Sequence, residues 1–535
     1  MLAVLGSMLS VIPVKAQGPI QTLVNIANPG DTINVGPGTY NEHVIIPSSK
    51  TGITIKGHNA ILDGLGCSLP DGFEIVGTDS VTIRGFTIRH YSEAGIYIHA
   101  NDTAVPRDRA VGNMIRNNVI EDNCGAGIII GASDANTVKT NTVQHNGRIG
   151  VFIDDGLKNR IRSNTIYNNG WSGIEYHIAP NTEVKGNDVT YNGQYGLCAD
   201  GYSPNSNIRG NTFSYNGLRG IFIISDSNTM IDNTVNNNAY SGIWMGQGDY
   251  NWVEKNYVNW NGQDGIEVTH FLGNPSVSNT FTNNTVNHNA YYGIGVYSAN
   301  LAGLNLIEKN EVAWNGWSGI GIGASANNTI RWNHVHDNAM IGVFIDYGYY
   351  NAIWGNLIDH NGWSGIEYHI AAYTQVVDNT VIYNGVDGLC ADGYSGFSYI
   401  HVNSFNNNGR NGIYMISGSN TITNNYANNN GLEGIFMWQI GFNLIANNQA
   451  NSNAEDGIRV EDESFNLIQY NEASYNYEYG IVMGSRYTSI PATNNSIEYN
   501  TALYQTVGPD LADSTYYSGL ANTWWSNNGI LGYGT

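Results

Sequence analysis

The sequence predicts an all-β chain wound into a single parallel β-helix, a solenoid of about 22–24-residue turns with a helical cap at its N-terminal end. The first observation is a register: glycine followed by Ile, Leu or Val recurs at Gly95, Gly127, Gly150, Gly173, Gly196, Gly220 and Gly242. It continues at Gly265, Gly293, Gly319, Gly342, Gly365, Gly388, Gly412, Gly434, Gly457 and Gly480. The second is alternation. The first and third residues after each glycine are apolar, as at Val151/Ile153, Ile174/Tyr176, Leu197/Ala199 and Ile221/Ile223, which sends them inward and their neighbours outward in a strand. No helical period appears in the repeats. The repeated leucine signature of other solenoids of similar turn length is absent as well.

Taken in order, residues 1–17 hold an apolar run, Leu2 to Val14, ending in Val-Lys-Ala before Gln17. Small residues at that point and a run too short to span a bilayer predict a signal peptide. No other segment is long enough to cross a membrane, so the expected location is secreted or cell-surface. Residues 18–94 make the N-terminal cap and first turns, with a short helix expected between Pro19 and Ala27. Residues 95–500 form the solenoid, the longer intervals from Gly95 to Gly127 and from Gly265 to Gly319 marking inserted loops. Asparagines in register, such as Asn164, Asn187, Asn211, Asn233 and Asn256, are expected to stack as amide ladders at the corners. Residues 501–535, with Trp524-Trp525-Ser-Asn-Asn, leave the register and are expected to close the far end.

Charge narrows the partners. A net charge of −22 with only 12% charged residues excludes a bare nucleic-acid surface, which needs Lys/Arg clusters. It also disfavours a strongly anionic polymer unless a divalent cation bridges. Four cysteines make no disulfide framework. Cys198 and Cys390 hold equivalent positions many turns apart and cannot pair, whereas pairing of Cys67 with Cys124 stays open. Nothing in the sequence sets an oligomeric state.

The solenoid is internally duplicated: 127–268 repeats as 319–460 at a displacement of 192 residues. Outward positions mostly differ between the copies, as at Lys158/Tyr350, Lys185/Val377 and Trp244/Phe436. One outward set is identical. Asp154, Glu175, His177 and Asp200 reappear as Asp346, Glu367, His369 and Asp392, with Cys198 matched by Cys390. Stacked turns should bring Asp154, His177 and Asp200 into a ladder with rungs about 4.8 Å apart. Glu175 stands two residues from His177 on its strand. Aromatic residues flank both sets: Phe152, Trp171, Tyr202 and Phe222 in the first, Phe344, Trp363, Tyr394 and Tyr414 in the second.

A histidine between carboxylates should be held protonated, which puts a proton donor beside a carboxylate base. Inverting glycoside hydrolysis wants its carboxyls roughly 6.5–9.5 Å apart. Asp154 and Asp200 at about 9.6 Å, or Asp154 and Glu175 at about 8 Å by strand spacing, are both compatible. A lyase or epimerase acting on uronic acids is the rival chemistry; it needs a cation, and neither outward column carries Lys or Arg. No cofactor is required by the sequence, although the same carboxylates and histidine are a possible site for a divalent cation, Ca²⁺ first, with Mn²⁺ or Zn²⁺ as other candidates. The two cysteines beside the ladder read as small fillers.

The Gly-Ile-x-apolar repeats, the Pro29-Gly-Asp-Thr-Ile and Pro37-Gly-Thr-Tyr opening, and the Asn522-Thr-Trp-Trp-Ser-Asn-Asn ending resemble the NosD-like, carbohydrate-binding and sugar-hydrolase superfamily. That resemblance implies a right-handed parallel β-helix capped by a helix. It also implies polysaccharide hydrolases, lyases and epimerases, along with NosD proteins that assist copper-site assembly. The Asn-Thr-Asp and Gly-His-Gly motifs of pectinases and the Asp-Pro-His of alginate epimerases are absent, so no family catalytic residue carries over. The expectation is a secreted polysaccharide-degrading glycoside hydrolase with two duplicated sites. The alternatives are a metal-assisted lyase or epimerase, or a non-catalytic accessory β-helix that binds glycan or metal.

Overall fold

Turns contribute two or three short strands separated by corners, the third shrinking to a single bridge in turns such as those of Thr234, Tyr257 and Tyr426, and the strands pair in parallel with their counterparts one turn on. Val151–Asp154, Arg160–Arg162 and Thr165–Tyr167 pair with Ile174–His177, Glu183–Lys185 and Asp188–Thr190, with Val151 opposite Ile174, Arg160 opposite Glu183 and Thr165 opposite Asp188. The computed structural model describes residues 11–12, 19–104, 108–301, 303–484, 492–513 and 522–533. Contacts divide the chain into two units, Met1–Tyr257 and Val258–Thr535. Each is a parallel β-solenoid; the repeat is about 23 residues and the chain makes about 21 turns in all. The second unit repeats the three-strand turn, with Val343 opposite Ile366, Ala352 opposite Gln375 and Leu357 opposite Thr380.

The alternation read from the sequence sets the core. Val151, Ile153, Ile174, Tyr176, Leu197 and Ala199 are fully buried, as are Val343, Ile345, Ile366 and Tyr368. A buried aliphatic side chain of this kind contributes about 1.5–3 kcal/mol.

Buried asparagine ladders run along the corners in register with the strands. Asn141 donates its backbone N–H and its Nδ2 to Oδ1 of Asn164 (2.9 and 3.1 Å), and Asn164 does the same to Asn187 (2.9 and 3.0 Å). The second Nδ2 proton goes to a core carbonyl, that of Val138 at 3.0 Å in the case of Asn164. Asn146, Asn169 and Asn192 build a parallel ladder, and in the second unit Asn310, Asn333, Asn356 and Asn379 build another. Both Nδ2 protons of Asn164 are thereby satisfied, which permits its burial without penalty. The ladders also explain the repeated glycine. A Cβ on Gly173 would lie 2.3 Å from Val189 Cγ1 and 2.7 Å from Asn192 Nδ2. No other residue fits where the chain crosses this ladder.

At the N-terminal end, the helix Ile20–Ile26 buries Ile20 and Val24. Pro19 supplies no cap, so Glu42 accepts the first amides instead, from Ile20 at 2.7 Å and Gln21 at 3.0 Å. Of the leader expected over residues 1–17, only 11 and 12 are described, pairing with Thr32 and Ile33. The open question of Cys67 and Cys124 is answered: they form a disulfide across 57 residues, Cα atoms 6.2 Å apart. In the stretch 501–535 the rungs run on: Leu511–Asp513 and Leu531–Tyr533 extend one wall, and Thr523–Trp525 extends another.

Candidate functional site

The outward residues of Val151–Asp154 and Ile174–His177 bring Phe152 opposite Glu175 and Asp154 opposite His177, and the next strand puts Cys198 opposite Glu175. Nε2 of His177 lies 3.2 Å from Oε1 of Glu175. The ring of Phe152 meets the imidazole edge-on, centroids 5.3 Å apart. The second copy repeats this geometry: His369 Nε2 to Glu367 Oε1 at 3.1 Å, and Phe344 against His369 at 5.5 Å. Both histidines are held above the ordinary imidazole range, chiefly by the hydrogen bond to the neighbouring glutamate and against the opposing effect of burial. The charges of Asp154 and Asp200, or Asp346 and Asp392, act in the same direction. In both copies the histidine of the expected set is paired with the glutamate two residues before it on its own strand.

Asp200 and Asp392 depart from the expected ladder. The strand ends at Ala199, and Asp200 turns into the corner, where its Oδ1 accepts from Ile178 N (3.1 Å), Tyr202 N (3.1 Å) and Ser203 Oγ (2.7 Å). Asp392 accepts likewise from Ile370 N, Tyr394 N and Ser395 Oγ. One carboxylate oxygen of each is committed to holding the loop that presents Tyr202 or Tyr394, which are 74% and 76% exposed. The hydrogen-bonding demand of a tight corner, invisible in a column of letters, explains the difference. Trp171 and Trp363, in the corners that precede Gly173 and Gly365, are exposed, 44% and 46%. Burial pushes the Cys198 and Cys390 thiols far up, with Glu175 and Glu367 adding to it, which disfavours a thiolate nucleophile.

The residue just before each glycine also shapes this wall, and Arg219 there is matched by Asn411 in the second copy. Arg219 lies over the rings of Phe222 (6.0 Å) and Trp244 (5.0 Å), which are themselves stacked at 4.5 Å. Trp244, expected outside, is therefore nearly buried. In the second copy the wall differs. Asp387 is buried there, accepts from Asn411 N and Nδ2 at 2.9 Å, and is raised in pKa by burial. Oε2 of Glu367 is buried with no hydrogen-bond partner.

Beside the first set a cavity of about 540 Å³ opens between Tyr202, Ile178, Pro204, Arg109, Asp134 and Asp155. Arg109 reaches both acids, Nε to Asp134 Oδ2 at 2.8 Å and Nη1 to Asp155 Oδ1 at 3.3 Å. The equivalents of Asp134 and Asp155 in the second copy are Ala326 and Tyr347, so its wall lacks these carboxylates. Among the described residues, metal-ligating atoms of three side chains converge within 4.8 Å at Glu311, His334 and His336 and at His43, Asp71 and Glu74. The ladder thought capable of holding Ca²⁺ is not such a group. No helix among the described residues is long and apolar enough to cross a membrane.

A family model described as the right handed beta helix region matches residues 46–213, 271–402 and 371–531, and that of the periplasmic copper-binding protein NosD matches 181–300. No match is found among curated proteins. Among solved structures, the chain is similar to the PL6 family alginate lyase AlyGC (11% identity, 95% of this chain and 98% of that one, TM-score 0.34). It is similar also to the A-module of mannuronan C-5 epimerase AlgE4 from Azotobacter vinelandii (16% identity, 69% and 90% covered, TM-score 0.33). A third is XylC in complex with xylose (13% identity, 51% and 72% covered, TM-score 0.39).

Proposed function

The chain belongs to the right-handed β-helix family, and on that premise we propose that it is a polysaccharide-active enzyme that cleaves glycosidic bonds by acid–base chemistry. The observation that carries this reading is the Glu–His pair, kept at 3.2 and 3.1 Å with the same phenylalanine edge in both copies while most outward residues diverge. Protonated His177, held by Glu175, donates to the leaving glycosidic oxygen. Asp154, one rung away, takes the proton of the attacking water, leaving a reducing end and a new hydroxyl. Asp346, Glu367 and His369 repeat the set. Asp200 and Asp392 are positioning residues, each fixing the loop of an exposed tyrosine. Trp171, Tyr202, Trp363 and Tyr394 offer apolar faces for sugar rings, with Phe152, Phe222, Phe344 and Tyr414 as the walls between them.

The second reading is elimination or epimerisation on a uronate, favoured by Arg109 and Arg219, the guanidinium groups the outward columns lacked. An oxidising compartment, periplasmic or extracellular, fits the Cys67–Cys124 disulfide. The test is product analysis on neutral and uronate glycans, with and without chelator. Hydrolysis predicts reducing ends with no unsaturated sugar and no loss on chelation; an unsaturated product would replace it with the lyase reading. Binding without any turnover on either class would replace both with an accessory glycan-binding protein.

A further inference from the structure

We propose a Zn²⁺ site, separate from the Glu–His pairs, with His334, His336 and Glu311 as ligands. The strands Glu311–Ala313, His334–His336 and Leu357–Asp359 are consecutive rungs of one wall, with Glu311 opposite His334, Ala313 opposite His336 and His336 opposite Asp359. Each histidine turns one nitrogen toward Glu311: His336 Nε2 is 2.9 Å from Oε1 and His334 Nδ1 is 3.7 Å from Oε2. Each has its other nitrogen on a second carboxylate, His336 Nδ1 on Asp337 Oδ2 at 2.7 Å and His334 Nε2 on Asp359 Oδ1 at 2.9 Å. A carboxylate behind each ligating imidazole is the arrangement that orients metal-binding histidines and raises their basicity.

The two imidazoles are stacked with centroids 4.0 Å apart. The donor atoms lie within 4.8 Å of one another, and zinc–donor bonds of about 2.0–2.2 Å would need only side-chain adjustment to close on them. Two histidines and a glutamate suit Zn²⁺ with one position left open. His336 is 8% exposed and Trp314 covers its face edge-on at 5.1 Å, while Glu311 reaches solvent and leaves an entry path. The duplication provides the contrast: the positions of His334, His336 and Asp359 in the first copy are Thr142, Gln144 and Tyr167. Of the two copies, only the second carries the histidines and the backing carboxylate together.

The test is calorimetric titration of the full chain with Zn²⁺, with Co²⁺ absorption reporting coordination. The wild type should bind with proton release, so that affinity rises with pH. His334→Gln should lower the stoichiometry by one. Asp359→Asn, which leaves all ligands in place, should weaken that site about 10–100-fold. His336→Ala should abolish it, and circular dichroism will report whether this buried change preserves the fold. The double variant His177→Ala/His369→Ala should bind as the wild type does, so failure of the catalytic proposal and of this one are distinguishable. Unchanged stoichiometry in His334→Gln, or no Zn²⁺ binding by the wild type below millimolar concentration, would overturn the site.

Discussion

At the scale of the residue, His177 is defined by its neighbour. The hydrogen bond to Glu175 outweighs the burial that disfavours its charge, so the imidazolium persists above the ordinary range. A histidine raised on folding binds more protons folded than unfolded between its two pKa values. Its contribution to stability is complete below the unfolded value near 6.5 and is lost as pH climbs through the folded one. A general acid follows the same sign: turnover should fall on the alkaline side as His177 deprotonates. Glu175→Gln removes the main cause of the shift. Its imidazole titration, followed by proton NMR, should move toward lower pH, and the alkaline limb of the rate profile should move with it. A limb that stays in place would assign the proton to another group. The identity of the residues was legible in the sequence because the duplication kept them. The pairing partner was not, since Asp154 on the neighbouring rung at about 4.8 Å is nearer His177 on paper than Glu175 two residues along its strand, and the rotamers bring Glu175 into contact instead.

At the scale of the element, the turn is held by amides as much as by apolar contacts. Replacing Asn164 with Ala would strip the acceptor from both the backbone N–H and the Nδ2 of Asn141. Two orphaned buried donors at about 1–3 kcal/mol each predict a loss of about 3 kcal/mol or more. Lys139→Ala, on an exposed strand position nearby, should change stability by less than about 0.5 kcal/mol. Urea midpoints of the two variants check this contrast. The sequence showed one asparagine column in full because its letters are uninterrupted from Asn164 to Asn256. Another was harder to see. In it Asn159 is followed by Thr182 and Ser206 before Asn228, and Ser206 still donates its N–H to Asn228 at 2.9 Å. The glycine register was legible as a pattern, but its cause, the collision of a Cβ with a core side chain, the next turn's carbonyl and a ladder amide, needed coordinates.

At the scale of the whole molecule, the two copies share a fold and a Glu–His pair but not their surroundings. Repeat grammar reaches the fold readily, because every turn restates it. It reaches the site only partly, because Arg109 comes from an inserted loop and Arg219 stands just before its glycine, outside the two outward strand columns. The first copy has the charged cavity of Arg109, Asp134 and Asp155 beside Tyr202, and the second has Ala326 and Tyr347 in place of the two acids. Activity should therefore reside mainly in the first. The most direct measurement is reducing-end release from a cleavable glycan by His177→Ala, His369→Ala and the double variant. Loss of a general acid predicts a fall of about 10²-fold or more for His177→Ala and for the double variant, with His369→Ala retaining most of the turnover. Turnover at the wild-type rate in the double variant would contradict the account.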